Sequence, residues 1–148
     1  VKSVLLRVEE NDNLSQILPS IMAIKMAGAK LHLSLPETFE SAELLWLEVK
    51  AAILMDQEND GDVIVREDET ALIKAMSHVE RIRFLQPENV SENIYEAVAD
   101  QALYIASDPF ISHGRIELMH YFIEQSISDS YHRYGNLGQK GILSKQGE

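Results

Sequence analysis

The chain has 148 residues, 45% of them hydrophobic, with 24 Asp and Glu against 13 Lys and Arg and a formal net charge of −11. This is enough apolar material for one domain with its own core, and the negative balance argues against a nucleic-acid surface, which needs basic groups against phosphate. Cysteine is absent, excluding disulfides, thiolate metal ligation and a cysteine nucleophile. No signal peptide and no apolar run of membrane-spanning length occurs, so a cytoplasmic protein without membrane contact is expected. The opening VKSVLLRV enters a strand directly with no initiator methionine, as a domain taken from a longer chain would.

In chain order, Ser3 to Val8 reads as a buried strand, apolar and β-branched, ended by the polar cluster Glu9 to Asn13. Asn13 is placed to cap a helix with apolar residues at Leu14, Ile17, Leu18, Ile21, Met22 and Met26, and Gly28 closes it. Pro19 inside that pattern predicts a kink or a later start. KLHLSL, Lys30 to Leu35, alternates apolar and polar and predicts a second strand stopped by Pro36. Thr38 or Ser41 opens a second helix carrying Leu44, Leu45, Leu47, Ala51, Ile53, Leu54 and Met55, with Trp46 expected in the core. DQENDGD, Asp56 to Asp62, is a surface loop, DVIVRED a third strand, and Glu69 to Met76 a short helix. Arg81 to Leu85 is a fourth strand, Ser91 to Asp100 a helix, Ala102 to Ala106 a fifth strand, and Arg115 to Gln125 a last helix.

Short strands alternating with helices over short connections predict an α/β fold: a Rossmann-like, doubly wound, mainly parallel five-stranded sheet over residues 1–125. An extended tail strand over 126–148 follows. Such sheets bind ligands at the carboxyl ends of their strands, but the loops there lack the chemistry for a nucleotide. VEENDN after the first strand has no glycine and carries three carboxylates, and neither GxGxxG nor GxxxxGK[ST] occurs anywhere. No two of the histidines, His32, His78, His113, His120 and His132, have the i, i+4 spacing of a helical metal site, and no metal is expected. Glu37, Glu40 and Glu43 suit the first turns of a helix, where acids meet its positive end. Ser126, Ser128 and Ser130 lack the glycines of a nucleophile elbow.

The segment EQSISDSYHRYGNLG, Glu124 to Gly138, is different. It mixes aromatic and charged side chains with glycines outside the βα repeat, poor material for this domain's own core. Tyr, His and Arg are side chains that interfaces favour, joining large area to a polar handle. An alternative is a terminal strand on this sheet's own edge.

Two resemblances bear on these residues. SHVERIRFLQPENVSENIYEAVADQALYIASDP and IMAIKMAGAKLHLSLPE resemble the cofactor domain of aldehyde dehydrogenases. Val79 to Phe84 matches a family strand, Ile94 to Ala99 the following helix, and Leu35-Pro36-Glu37 a family strand end. The departures fall on the cofactor site: the family's glycine-bearing FTGS turn is Phe84-Leu85-Gln86-Pro87 here, its adenosine-contacting lysine is Leu35, and its ELGGK is Ile105-Ala106-Ser107-Asp108-Pro109. The resemblance implies a retained fold and a lost active site. GRIELMHYFIEQSISDSYHRYGNLG, Gly114 to Gly138, and the opening SVLLRVEEND resemble the C-terminal part of bifunctional proline-utilisation flavoenzymes. Those join a proline dehydrogenase to an L-glutamate γ-semialdehyde (1-pyrroline-5-carboxylate) dehydrogenase, and some members append a non-catalytic domain like the aldehyde dehydrogenase cofactor domain.

That resemblance implies a non-catalytic C-terminal domain that packs on the aldehyde dehydrogenase module of the same parent chain and helps enclose its substrate passage. The fragment alone is expected to be inactive and to hold no cofactor, with FAD and NAD bound elsewhere in the parent. Tyr131, His132, Arg133, Tyr134 and Asn136 are the expected inter-domain contacts. The competing expectations are a self-standing α/β nucleotide-binding module and a homo-oligomeric interaction domain whose tail pairs with its own copy.

Overall fold

A computed structural model describes residues 1–38, 46–47 and 61–123. Five parallel strands form one sheet in the order β3-β2-β1-β4-β5: β1 (Ser3–Arg7), β2 (Lys30–Leu35), β3 (Val63–Arg66), β4 (Arg81–Phe84) and β5 (Tyr104–Ala106). The expected doubly wound α/β fold is therefore present. α1 (Leu14–Met26) lies between β1 and β2 in the chain, α2 (Glu69–Met76) between β3 and β4, and α3 (Glu92–Asp100) between β4 and β5. A short helix, α4 (Gly114–Met119), follows β5 and packs on α1.

The pleat sends alternate side chains of β1 into two cores. Val4, Leu6 and Val8 join Ile17, Ile21 and Ile24 of α1 and Leu31, Leu33 and Leu35 of β2. Leu5 joins Leu72 and Met76 of α2, Ile82 and Phe84 of β4, and Ile94 and Val98 of α3. β1 is buried on both faces from Val4 on because it is the central strand, and each fully buried Leu or Ile contributes about 1.5–3 kcal/mol.

Helix starts follow their caps. Asp68 Oδ1 accepts from Ala71 N–H at 2.7 Å, and Ser91 Oγ accepts from Ile94 N–H at 3.2 Å. At α1, Gln16 reaches back so that its Oε1 accepts from Asn13 N–H at 3.1 Å. The helix runs through Pro19 rather than starting at it. Pro19 and Ser15, whose carbonyl an i→i−4 bond would have used, are both exposed, where water can replace that bond. Gly28 has φ +74°, the left-handed C′ conformation that ends α1.

β2 spans Lys30–Leu35 as expected, and its Ser34 is fully buried, with Oγ accepting from Arg7 Nη1 at 2.9 Å. Several sequence expectations are corrected. Asp62 is not a surface-loop residue, since its Oδ1 accepts from Leu31 N–H at 2.8 Å and its Oδ2 pairs with Lys25 Nζ. The fifth strand begins at Tyr104 because Ala102, at φ 51°, is the turn that ends α3. Trp46 is helical but 45% exposed, whereas its neighbour Leu47 is fully buried and takes the core position instead. The rest of the second expected helix lies outside the described residues.

The last helix is also shorter than expected and ends at Met119. His120 and Tyr121 N–H close i→i−3 bonds to Glu117 and Leu118 carbonyls at 3.2 and 2.9 Å. Arg81 Nη1 binds the His120 carbonyl and, at 3.3 Å, that of Phe122, taking up acceptors that a continuing helix would have used.

Gly28→Ala should lower stability by about 1–2 kcal/mol, the cost of a side chain in the left-handed conformation. A Cβ there meets nothing within 4 Å, so the loss is one of backbone strain alone. Urea unfolding of the variant checks this, and an unchanged midpoint would mean that the turn relaxes freely.

Candidate functional site: a bridged switch point and a buried ion pair

In a sheet of this order, the two halves diverge from β1 and β4, and the crevice beyond their carboxyl ends is the usual place for a nucleotide. Here side chains span it. Gln86, just after β4, donates from Nε2 to the Asn11 carbonyl and to Asp12 Oδ1, both at 3.0 Å. Asp12 Oδ1 lies 3.4 Å from Asn89 Nδ2, and Asp12 Oδ2 accepts from Glu9 N–H at 2.8 Å. Burial raises the Asp12 carboxyl above its ordinary value against the lowering effect of the Glu9 and Gln86 bonds. Gln86 thus ties the loop after β4 to the loop after β1.

Beneath this crevice a charged pair is buried. Arg83, in the middle of β4, is fully buried, and its Nε and Nη2 donate to the two carboxylate oxygens of Glu117 at 3.0 and 2.9 Å. Its Nη1 donates to the carbonyls of Ala106 at 3.2 Å and Asp108 at 2.7 Å, and also to that of Phe84. Glu117 Oε1 further accepts from Tyr121 Oη at 2.6 Å and Ser20 Oγ at 3.1 Å. Four elements meet there: β4, the segment after β5, α4 with its following turn, and α1.

The electrostatics agree with a charged pair. Burial by itself would raise Glu117, but the bonds from Arg83 and Tyr121 outweigh it and hold the carboxyl below its ordinary value. Burial likewise acts to lower Arg83, and Glu117 more than offsets it. Burial first, and the Glu117 charge next, raise the Tyr121 hydroxyl, so it remains a donor.

The four described histidines do not converge. His32 Nε2 lies 3.2 Å from Glu67 Oε1, and His78 and His113 are exposed. His120 is half-buried, with its pKa lowered by burial and then by the nearby Arg83 charge. Among the described residues no three His, Asp or Glu side chains group closely enough to hold a metal ion, and no helix is long and apolar enough to cross a membrane.

Tyr131, His132, Arg133, Tyr134 and Asn136 lie outside the described residues, and the tail reading falls on them alone. The residues that sequence reasoning passed over are Gln86, Arg83 and Glu117. RIRF inside a central parallel strand was the available signal, because an arginine there is enclosed on both faces and requires a counter-charge. No protein-family model matches the chain, and none of the curated proteins matches it.

Glu117→Gln should cost about 3–5 kcal/mol at neutral pH, since it leaves a buried guanidinium without its counter-charge. Tyr121→Phe should cost about 1–3 kcal/mol. The contribution of Glu117 is complete above its unfolded pKa of about 4.3 and is lost as pH falls through its lower folded value. The stability gap between wild type and Glu117→Gln should therefore narrow below that pH. A gap in urea unfolding that stays constant into acid would show that the carboxylate charge contributes nothing.

Proposed function

We propose that this chain is the non-catalytic C-terminal domain of a bifunctional, cytoplasmic proline-catabolic oxidoreductase that converts proline to glutamate. It packs on the semialdehyde dehydrogenase module of the parent chain and helps enclose its substrate passage. FAD and NAD are bound elsewhere in that parent, and Tyr131, His132, Arg133, Tyr134 and Asn136 supply inter-domain contacts by analogy with the family tail. The observation that carries the reading is the bridged switch point: a Rossmann-like sheet whose crevice is tied across by Gln86 and Asp12 is a cofactor fold put to another use.

A second observation supports a docking role. Met26 on α1, Met119 at the end of α4, and Phe122 and Ile123 beyond it are 73%, 71%, 53% and 70% exposed. Large apolar side chains held in water on neighbouring elements suit contact with another polypeptide surface. The same exposure favours, as the second reading, an interaction domain that pairs with its own copy.

The 148-residue chain should show no saturable binding of NAD in the millimolar range by calorimetry, and saturation there would sink the reading. The longer chain carrying this domain, made with and without residues 124–148, should lose semialdehyde oxidation or channelling while proline oxidation persists. Two unchanged activities would remove the role assigned to the tail. Concentration-dependent dimerisation of the 148-residue chain, with no effect of the truncation on either half-reaction, would favour the second reading.

A further inference from the structure

Beside the bridged crevice, at the carboxyl ends of β1 and β2, is an open, mainly polar pocket of about 610 Å³. Arg7, the last residue of β1, lines it and is only 6% exposed. A guanidinium has five N–H donors in a fixed fork. In Arg7, Nε donates to Glu9 Oε1 at 2.7 Å, and Nη1 donates to Ser34 Oγ at 2.9 Å and the Glu67 carbonyl at 3.0 Å. Its Nη2 donates to none of the described residues. The pocket wall thus includes a largely buried, pre-oriented cation with one edge of its fork unused, and Glu10 and Glu69 line the same space.

The geometry points to a site for a small zwitterionic amino acid, its carboxylate on Arg7 Nη2 and its ammonium against Glu10 and Glu69. Charge decides among the alternatives. A phosphate-bearing ligand would meet three carboxylates, Glu9, Glu10 and Glu69, against one guanidinium that Glu9 already neutralises. A simple amine leaves Arg7 Nη2 without an acceptor, and a simple carboxylate adds a further negative charge to a pocket already lined by Glu9, Glu10 and Glu69. Glu69 retains capacity for this role: its Oε1 accepts from Asn93 Nδ2 at 2.9 Å, and Oε2 is the oxygen left over. Asn11 and Asn89 also line the pocket and suit a polar ligand.

The test compares three probes of matched chain: L-norvaline, pentanoate, which lacks the ammonium, and butylamine, which lacks the carboxylate. Each is titrated into the isotopically labelled 148-residue chain, and the Glu10 and Asn11 amides and the Arg7 Nε–H are followed by NMR. Norvaline should give saturable shifts of all three, with each truncated probe at least roughly tenfold weaker, as expected for loss of one charge-assisted contact. Glu10→Gln, at an exposed position, should weaken norvaline roughly tenfold with an unchanged melting temperature. Arg7→Lys keeps the charge but removes the fork and should abolish saturation; if that variant fails to fold, Glu69→Gln reads the same site from the opposite wall. Butylamine binding as tightly as norvaline would make this a cation site, and equal binding of pentanoate would make it an anion site. Either result, or no saturable shift with norvaline at tens of millimolar, overturns the assignment.

Discussion

The pair between Arg83 and Glu117 is the contact on which the remainder of this structure depends. A guanidinium in the middle of a central strand is tolerable only if every donor finds an acceptor. Three backbone carbonyls and both oxygens of one carboxylate meet that demand. Two of the carbonyls, those of Ala106 and Asp108, belong to the end of β5 and the loop after it. The carboxylate belongs to α4, a helix of 6 residues, too short to persist by its own hydrogen bonding. Glu117 therefore fixes where α4 lies, Tyr121 and Ser20 bind Glu117 in turn, and α1 and the terminal turn are drawn into one network.

The two ends of the sheet are built differently. At the carboxyl end, the Gln86 amide and the Asp12 carboxyl bridge the divergence between β1 and β4, and a second buried arginine, Arg7, stands beside them with incomplete bonding. At the amino end, Arg81 lies over the Tyr104 ring at 4.3 Å from its centre and holds the carbonyls that close α4. Arg83 lies between the two, enclosed. The period of two along a strand puts both arginines on one face of β4, toward α4 and its following turn, and their different depth along the strand leaves one to lock the core and the other to secure the exit of the chain.

The alternation of apolar and polar stretches was sufficient to read the fold. Each described strand starts or ends within a residue or two of its expected place, as do α1, α2 and α3, because Asn13, Asp68, Ser91 and Gly28 mark the helix ends with local chemistry. What the sequence concealed were tertiary decisions. The end of α4 depends on Arg81, which is distant in the chain. The burial of Ser34 depends on Arg7, and that of Asp62 on Lys25 and the Leu31 amide. Trp46 and Leu47 are adjacent in one apolar run, and only packing decides which of them faces inward. Of the site, the missing glycines after β1 and β4 were visible, whereas the bridge that Gln86 makes was not, since it needs the two loops to be neighbours in space.

Glu80 and Arg81, adjacent in the chain, hold the two limits of the folded body. Lys2 N–H donates to Glu80 Oε2 at 2.7 Å, and Arg81 reaches the carbonyl of Phe122. The first and last described parts of the domain are thus fastened to the same corner of β4. Two segments far apart in the chain therefore share one anchoring corner, so a change at Glu80 or Arg81 should loosen the entry to β1 or the turn after α4 without touching either hydrophobic core. Traction on that corner would act on the Glu80 and Arg81 contacts before it reached the ladder between β1 and β4.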